Sequence, residues 1–272
     1  MIIGIPKESL AGETRVAILP AEIKKLSSDL LKFKIESGAG NGSFIADENY
    51  AESGAEIVSD VFSDSDLIIR INPPTEEELS KLNNGTCLIS LLAPFINHAL
   101  VKQLAEKNIS SYCLELIPRS TYAQSMDVLS SQATVGGYRA VLNAASHLSK
   151  FFPMLMTPAG TIKPSTVLVI GAGVAGLQAI ATARRLGAKV EAFDVRPAAR
   201  EQVESLGAIF LYMDLDNSAE TDSGYAVEMN DEFIHKEMEL LHDAAKRVDA
   251  IITTALIFGK KAPILIKVYM VN

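Results

Sequence analysis

The sequence predicts an α/β protein of two Rossmann-like parallel-sheet domains, the second of which is short of strands. Three observations carry this. Through the first half, short apolar runs alternate with amphipathic stretches, the βαβα rhythm of a parallel sheet with helices on both faces. In the second half an uncharged β-branched strand runs into Gly171-Ala172-Gly173-Val174-Ala175-Gly176, and the next strand ends on Asp194, 18 residues beyond Gly176. Between the halves lies a nearly uncharged segment, Ala133 to Phe152, that reads as a connecting helix. The expected organisation is an N-terminal α/β domain over 1–132, a helix and linker over 133–163, and a dinucleotide domain over 164–272.

Taken in order, Ile2 to Ile5 reads as a strand and Val16 to Leu19 as a short second one. Ala21 to Leu31 places Ile23, Leu26, Leu30 and Leu31 at helical spacing. Phe33 to Glu36 is a strand, ended by the loop signal Ser37-Gly38-Ala39-Gly40-Asn41-Gly42. Leu67 to Ile71 is a buried strand that stops at Asn72-Pro73-Pro74. Thr75 then opens a helix with Glu78 three residues later, the spacing of a capping box. Strand Cys87 to Leu92, helix Asn97 to Glu106 and strand Ser111 to Leu116 complete the half.

Met154 to Pro164, with two prolines and a glycine, reads as a linker. Strand Thr166 to Ile170, the glycine loop, helix Val174 to Leu186, strand Lys189 to Phe193, helix Pro197 to Leu206 and strand Ala208 to Leu211 follow. Asp214 to Asn230 is acidic and weakly apolar and reads as a mobile loop. Helix Asp231 to Arg247 and strand Ala250 to Thr253 come next, with a fifth strand fragment expected at Ile264 to Val268. A complete dinucleotide domain has about six strands, so this one reads as unfinished.

Composition narrows the function. The chain has 272 residues, and its net charge of -8 argues against a broad nucleic-acid surface, which needs clustered Lys and Arg. Its two cysteines, Cys87 and Cys113, lie in apolar runs with no CxxC or Cys/His spacing, so reduced thiols and no metal site are expected. The N-terminus lacks the charged and long apolar regions of a secretory signal. Pro164 to Ala183 is uncharged over about the length of a bilayer span. Its glycines follow a β-branched run, however, where a strand-to-helix turn falls, and each would weaken a spanning helix by about 1 kcal/mol.

The loop itself implies a dinucleotide. Gly171 permits a tight turn, Gly173 lets backbone approach a pyrophosphate, and Gly176 lets helix and strand pack closely. The diphosphate then sits on the helix N-terminus, where N–H groups and the positive dipole end face it. Asp194 can accept the adenosine ribose hydroxyls and would repel a 2′-phosphate, which favours NAD(H) over NADP(H). Arg196 and Arg200 complicate this, because either can pair with such a phosphate. A second polar cluster, Arg119 to Gln132, follows a strand of the first half, where ligands of α/β sheets bind.

That cluster, Arg119-Ser-Thr-Tyr-Ala-Gln-Ser-Met-Asp-Val-Leu-Ser-Ser-Gln, with Gly137-Tyr-Arg-Ala-Val, resembles the NAD(H)-binding α subunit (domain I) of proton-translocating transhydrogenase. Gly4-Ile-Pro-Lys-Glu, Glu13-Thr-Arg-Val-Ala, the glycine loop, Asp194-Val-Arg-Pro and Thr253-Thr-Ala-Leu-Ile fit as well, and the wider alanine dehydrogenase superfamily shares these. The resemblance implies that Arg119, Asp127 and Ser130 hold the nicotinamide and its carboxamide, and that Gln124 meets the NADP(H) of a partner subunit. It adds Gln132, Val195, Arg196, Thr254 and Ala255 to the loop residues as cofactor contacts, and Tyr225 in a segment closing over the nucleotide. It further implies direct hydride transfer from NADH to NADP⁺ on a β subunit, a homodimer of this subunit, and cytoplasmic placement at the inner membrane through a membrane domain on other chains. Direct transfer needs two rings held at roughly 3–3.5 Å and no acid or base, which suits a site without His or Lys.

Alanine dehydrogenase chemistry is the alternative, and it requires a Lys and a His. The matching strand ends carry Ile71-Asn72-Pro73-Pro74 and Ser90-Leu91-Leu92-Ala93 instead, although Arg15 matches that enzyme's substrate arginine. Two departures from the family pattern stand out: Phe258 replaces a proline, and the family's domain continues beyond residue 272. A shortened, inactive NAD-binding remnant is therefore a second alternative.

Overall fold

The computed structural model describes residues 1–212, 231–256 and 262–270, and within 231–233 the backbone only. The chain divides into two compact units, Met1–Asp127 and Val128–Asn272.

Unit 1 is a six-stranded parallel sheet of β1 (Ile2–Ile5), β2 (Lys32–Glu36), β3 (Glu56–Val58), β4 (Leu67–Ile69), β5 (Cys87–Ser90) and β6 (Ser110–Cys113). Its order is β3-β2-β1-β4-β5-β6, the doubly wound arrangement with a switch point between β1 and β4. Helices α1 (Pro20–Leu26), α2 (Asp47–Glu52), α3 (Glu76–Lys81) and α4 (His98–Glu106) cover it. Side-chain alternation along the strands feeds two cores: Ile3, Ile5, Phe33 and Ile35 on one, Ile68, Leu88, Leu100 and Leu104 on the other.

Unit 2 opens with the 20-residue helix α5 (Val128–His147), so residues 128–132 form its first turns. An antiparallel hairpin, β7 (Leu155–Thr157) with β8 (Gly160–Ile162), comes next. A parallel sheet of β9 (Thr166–Ile170), β10 (Lys189–Phe193), β11 (Ile209–Phe210) and β12 (Ala250–Thr253) follows, ordered β11-β10-β9-β12. Helices α6 (Val174–Arg185), α7 (Ala199–Ser205) and α8 (Asp231–Ala245) complete it. β9 is buried throughout its apolar run, as a central parallel strand must be. Val167 and Val169 join Val141, Ala179 and Ile180 in one core, while Leu168 and Ile170 join Phe193, Leu241 and Ala244 in the other. Asp249, just before β12, accepts the Thr166 N–H at 2.8 Å and pairs with Lys150 at 2.9 Å, pinning the entry to β9.

Several expectations fail locally. Val16 to Leu19 forms no strand: Pro20 starts α1 at once, and the Tyr50 hydroxyl takes the Ile18 carbonyl at 3.0 Å. The first helix stops at Leu26 because the Ser27 N–H closes on Ile23. Ile264 to Val268 is not a fifth strand. Pro263 removes a ladder donor just before it, Leu265 and Ile266 pack against the Leu241 core, and Val268–Met270 form a 3-10 turn. The stretch read as a linker contains the β7–β8 hairpin. The expected loop over Asp214 to Asn230 lies outside the described residues.

The packing of α5 on α6 depends on Gly137, which is buried. A Cβ there would overlap the Ala175 carbonyl, whereas one on neighbouring Gly136 would meet nothing within 4 Å. Gly137→Ala is therefore expected to lower stability by about 2–3 kcal/mol. Gly136→Ala should raise it by ~0.5–1 kcal/mol through helix propensity. Urea unfolding of the two variants checks the pair.

Candidate functional site

The glycine loop joins β9 to α6 at the C-terminal edge of the unit 2 sheet. Gly171 has φ +93°, a left-handed conformation that L side chains resist, and its N–H donates to the Phe193 carbonyl at 2.8 Å. A Cβ on Gly171 would meet the Thr254 hydroxyl at 2.8 Å, and one on Gly176 would overlap the Gly171 carbonyl oxygen. A Cβ on Gly173 would meet nothing within 4 Å. The three glycines thus do different work: Gly171 turns the chain, Gly176 closes helix on strand, and Gly173 faces open space. Gly173 is also the N-cap of α6 and brings no side chain to the first-turn N–H groups. Thr254 braces the turn from the end of β12, its hydroxyl donating to Gly171 at 2.9 Å and its N–H to Ile170 at 2.8 Å. Ala255 follows, its N–H 3.0 Å from the position of a Gly171 Cβ. The arrangement fits a diphosphate: open N–H groups at a helix start, with a backbone no side chain shields.

Asp194 stands at the end of β10, beside the loop. Its Oδ2 accepts the Ala172 N–H at 2.6 Å, and its Oδ1 accepts the Arg196 N–H and Nε, each at 2.9 Å. The Arg196 fork closes with Nη2 on Oδ2 at 3.0 Å. Val195 packs with the Leu241 core. Arg200 pairs with Glu204 at 2.8 Å and lies 5.9 Å over the Tyr212 ring. Both arginines near the loop are thus engaged by acids of their own segment.

The second cluster divides between the units. In unit 1, Arg119 Nε lies 4.0 Å from the Asp127 carboxylate, and Gln124 is exposed on a 3-10 turn over Gln124–Met126. In unit 2, half-buried Ser130 and exposed Gln132 lie in the first turns of α5. At a rise of 1.5 Å per residue, Ser130 is about 10 Å along the helix from Gly137, which abuts Ala175 of the glycine loop. Tyr225 and Phe258 lie outside the described residues.

Two features went unread in the sequence. At the switch point of unit 1, Arg70 is 1% exposed and pairs with Glu78 at 2.7 Å and Glu8 at 3.7 Å. Glu8 also accepts the Ile71 and Asn72 N–H groups at 2.6 and 3.1 Å. Beside it, Arg15 forks onto Glu13 at 2.8 and 2.6 Å and, with Asn72, pulls that carboxyl down to about 2 against the effect of burial. The crevice where α/β sheets take small ligands is therefore lined by internally paired charges. A buried arginine shows in sequence only as a charge directly after an apolar strand.

The other feature is Glu237 on α8, 7% exposed. Burial first, and then the Asp194 carboxylate, push its pKa from 4.5 up to about 7. An acid at the same helical face as Leu241 and Ala244 was the available signal.

Because folding raises the pKa of Glu237, the folded chain binds its proton more tightly than the unfolded chain does. This group therefore imposes no penalty below about pH 4.5, and stability falls as pH climbs to about 7. Glu237→Gln is expected to match the parent near the lower value and to exceed it by on the order of 2–3 kcal/mol above about pH 8. Denaturant midpoints measured across that range check it.

Comparison with known proteins places this geometry. Residues 4–136 match the alanine dehydrogenase/PNT N-terminal domain and residues 140–272 the alanine dehydrogenase/PNT C-terminal domain. The chain is 46% identical to the first segment of the NAD(P) transhydrogenase subunit alpha of Rhodospirillum rubrum, covering 100% of this chain and 73% of that protein. It superposes on the crystal structure of transhydrogenase from Sinorhizobium meliloti with a TM-score of 0.88 at 41% identity, over 100% of this chain and 74% of that one. Identity to the alanine dehydrogenase of Mycolicibacterium smegmatis is 29%, over 98% of this chain and 67% of that one. The chain belongs to the alanine dehydrogenase/PNT family, and within it to the NAD(P) transhydrogenase alpha subunits.

Proposed function

We propose that this chain binds NAD(H) at the Gly171 to Gly176 loop and serves as the hydride-donating subunit of a proton-translocating NAD(P) transhydrogenase. The observation that carries the reading is the loop: a left-handed Gly171, an unshielded Gly173 at the start of α6, and Asp194 hydrogen-bonded to Ala172. Identity to transhydrogenase alpha subunits above that to alanine dehydrogenase supports the choice of reaction.

In this reading NADH supplies the hydride, and NADP⁺ on a β subunit with its membrane domain receives it. The first-turn N–H groups of α6 hold the diphosphate. Asp194 accepts the ribose hydroxyls on lone pairs that its present donors leave open. Arg119, Asp127 and Ser130 orient the nicotinamide, Gln132, Val195, Arg196, Thr254 and Ala255 contribute cofactor contacts, and Gln124 lies toward the partner's NADP(H). None of these residues has to move a proton, because hydride transfer between two nicotinamides releases none; their task is orientation. The chain would act as a homodimer, held at the inner membrane from the cytoplasmic side by its partners. No helix of the described residues is long and apolar enough to cross a membrane.

The direct test is NADH binding to the purified chain, followed by hydride transfer to thio-NADP⁺ after adding a β-subunit NADP-binding domain. Transfer is expected; binding without transfer would leave a binding subunit only, and L-alanine-dependent NAD⁺ reduction would replace the assignment. Two variants sharpen it. Gly173→Val puts a side chain into the open side of the loop and should weaken NADH by on the order of 100-fold without loss of stability. Asp127→Asn should slow transfer about tenfold while weakening 5′-AMP far less, because it loosens only the nicotinamide end.

A further inference from the structure

Glu237 has no part in that scheme, yet it is a buried acid at the nucleotide end of unit 2. Residues 237, 241 and 244 recur at helical spacing on one face of α8. That face packs on Ile170 and Phe193, the last residues of β9 and β10. The residues directly after these two are Gly171 and Asp194. Glu237, one turn N-terminal to Leu241, is thus carried to the strand ends where the ribose of a bound dinucleotide would lie, and its electrostatic neighbour is Asp194.

The state of Asp194 makes this matter. With the Arg196 guanidinium forked across it, the Asp194–Arg196 pair is close to neutral and repels a phosphate weakly. An arginine so placed can even turn toward a 2′-phosphate. Glu237 is different: burial and Asp194 are what act on it, both against its charge, and no cation among the described residues offsets them. A phosphate brings a charge of about −1.5 to −2. Placed on the adenosine ribose, it would meet a neutralised Asp194 in front and an uncompensated carboxylate behind, in surroundings where water screens little.

We propose that Glu237 is a specificity-determining residue of the nucleotide site: its carboxylate, set behind the Asp194–Arg196 pair, excludes a 2′-phosphate from the adenosine ribose and holds the site to NAD(H). The proposal rests on the loop being the nucleotide site. The site can escape the repulsion by protonating Glu237, so the discrimination that this residue supplies is capped at the cost of that proton, about tenfold at one unit above its pKa.

The test measures Kd for NADH and for NADPH at about pH 8, where Glu237 is ionised, with the parent chain and with Glu237→Gln, Glu237→Met and Glu239→Gln. The NADPH-to-NADH ratio of Kd values is expected to fall about tenfold in both Glu237 variants. It should stay at the parent value in Glu239→Gln, whose side chain is exposed on the same helix. An unchanged ratio in a Glu237 variant that binds NADH would overturn the role of Glu237 and leave the loop reading intact. Loss of both nucleotides from both Glu237 variants would make the residue structural and equally overturn it. No NADH binding by the parent would overturn the loop reading, and the proposal with it.

Discussion

Two backbone contacts that only glycine allows set the geometry of unit 2. Gly176 lets the first turn of α6 close over the Gly171 carbonyl, and Gly137 lets α5 close over the Ala175 carbonyl. Each contact brings a helix nearer to its neighbour than any Cβ would permit, and both converge on the same six-residue loop. The hydrogen bonds around the loop follow from that closeness. Thr254 can span Ile170 and Gly171 only because the turn is tight, and Asp194 reaches the Ala172 N–H only because the loop lies flat against the end of β10. Rigid backbone of this kind suits a ligand recognised chiefly by main-chain N–H groups.

The two units treat buried charge in opposite ways. In unit 1, Arg70 is surrounded by Glu8 and Glu78, and Arg15 by Glu13, so the charges cancel within the crevice. Desolvation makes such clusters costly to break and poor at capturing a small charged substrate, since every partner is already engaged. In unit 2 the acid Glu237 is buried beside another acid, and its ionisation is correspondingly resisted. The first arrangement fits a scaffold whose ligand-binding crevice has been given over to structure. The second leaves charge available to act on a ligand.

What could be read from the sequence divides along the same physical lines. Local signals transferred well: Thr75 and Glu78 form the reciprocal cap their spacing implied, and the strands at Thr166–Ile170, Lys189–Phe193 and Ala250–Thr253 have the bounds their apolar runs suggested. The glycine loop was legible because each glycine answers a backbone demand that composition displays directly. Pairings between distant residues were not. Nothing in the run Val16 to Leu19 tells that Tyr50 takes its carbonyl, and nothing around Arg70 tells that acids 62 and 8 residues away neutralise it. Glu237 was hidden for a related reason: an acid on an apolar helix face passes for a surface residue until the partner strands are known. The hairpin over 155–162 was missed because prolines and a glycine mark a turn without saying what flanks it.

The brace that Thr254 places on Gly171 links residues 83 apart in the chain. β9 and β10 are joined by one helix and can pair early, whereas β12 must return across a much longer loop, at a larger entropic cost. A chain with β9, α6 and β10 in place would already have the right sequence at the loop but no hydroxyl behind its turn. Order of assembly thus becomes a safeguard: the phosphate cradle gains its final support only when the last described strand docks, so a half-folded intermediate would hold nucleotide poorly, and tight binding would report completed folding of the unit.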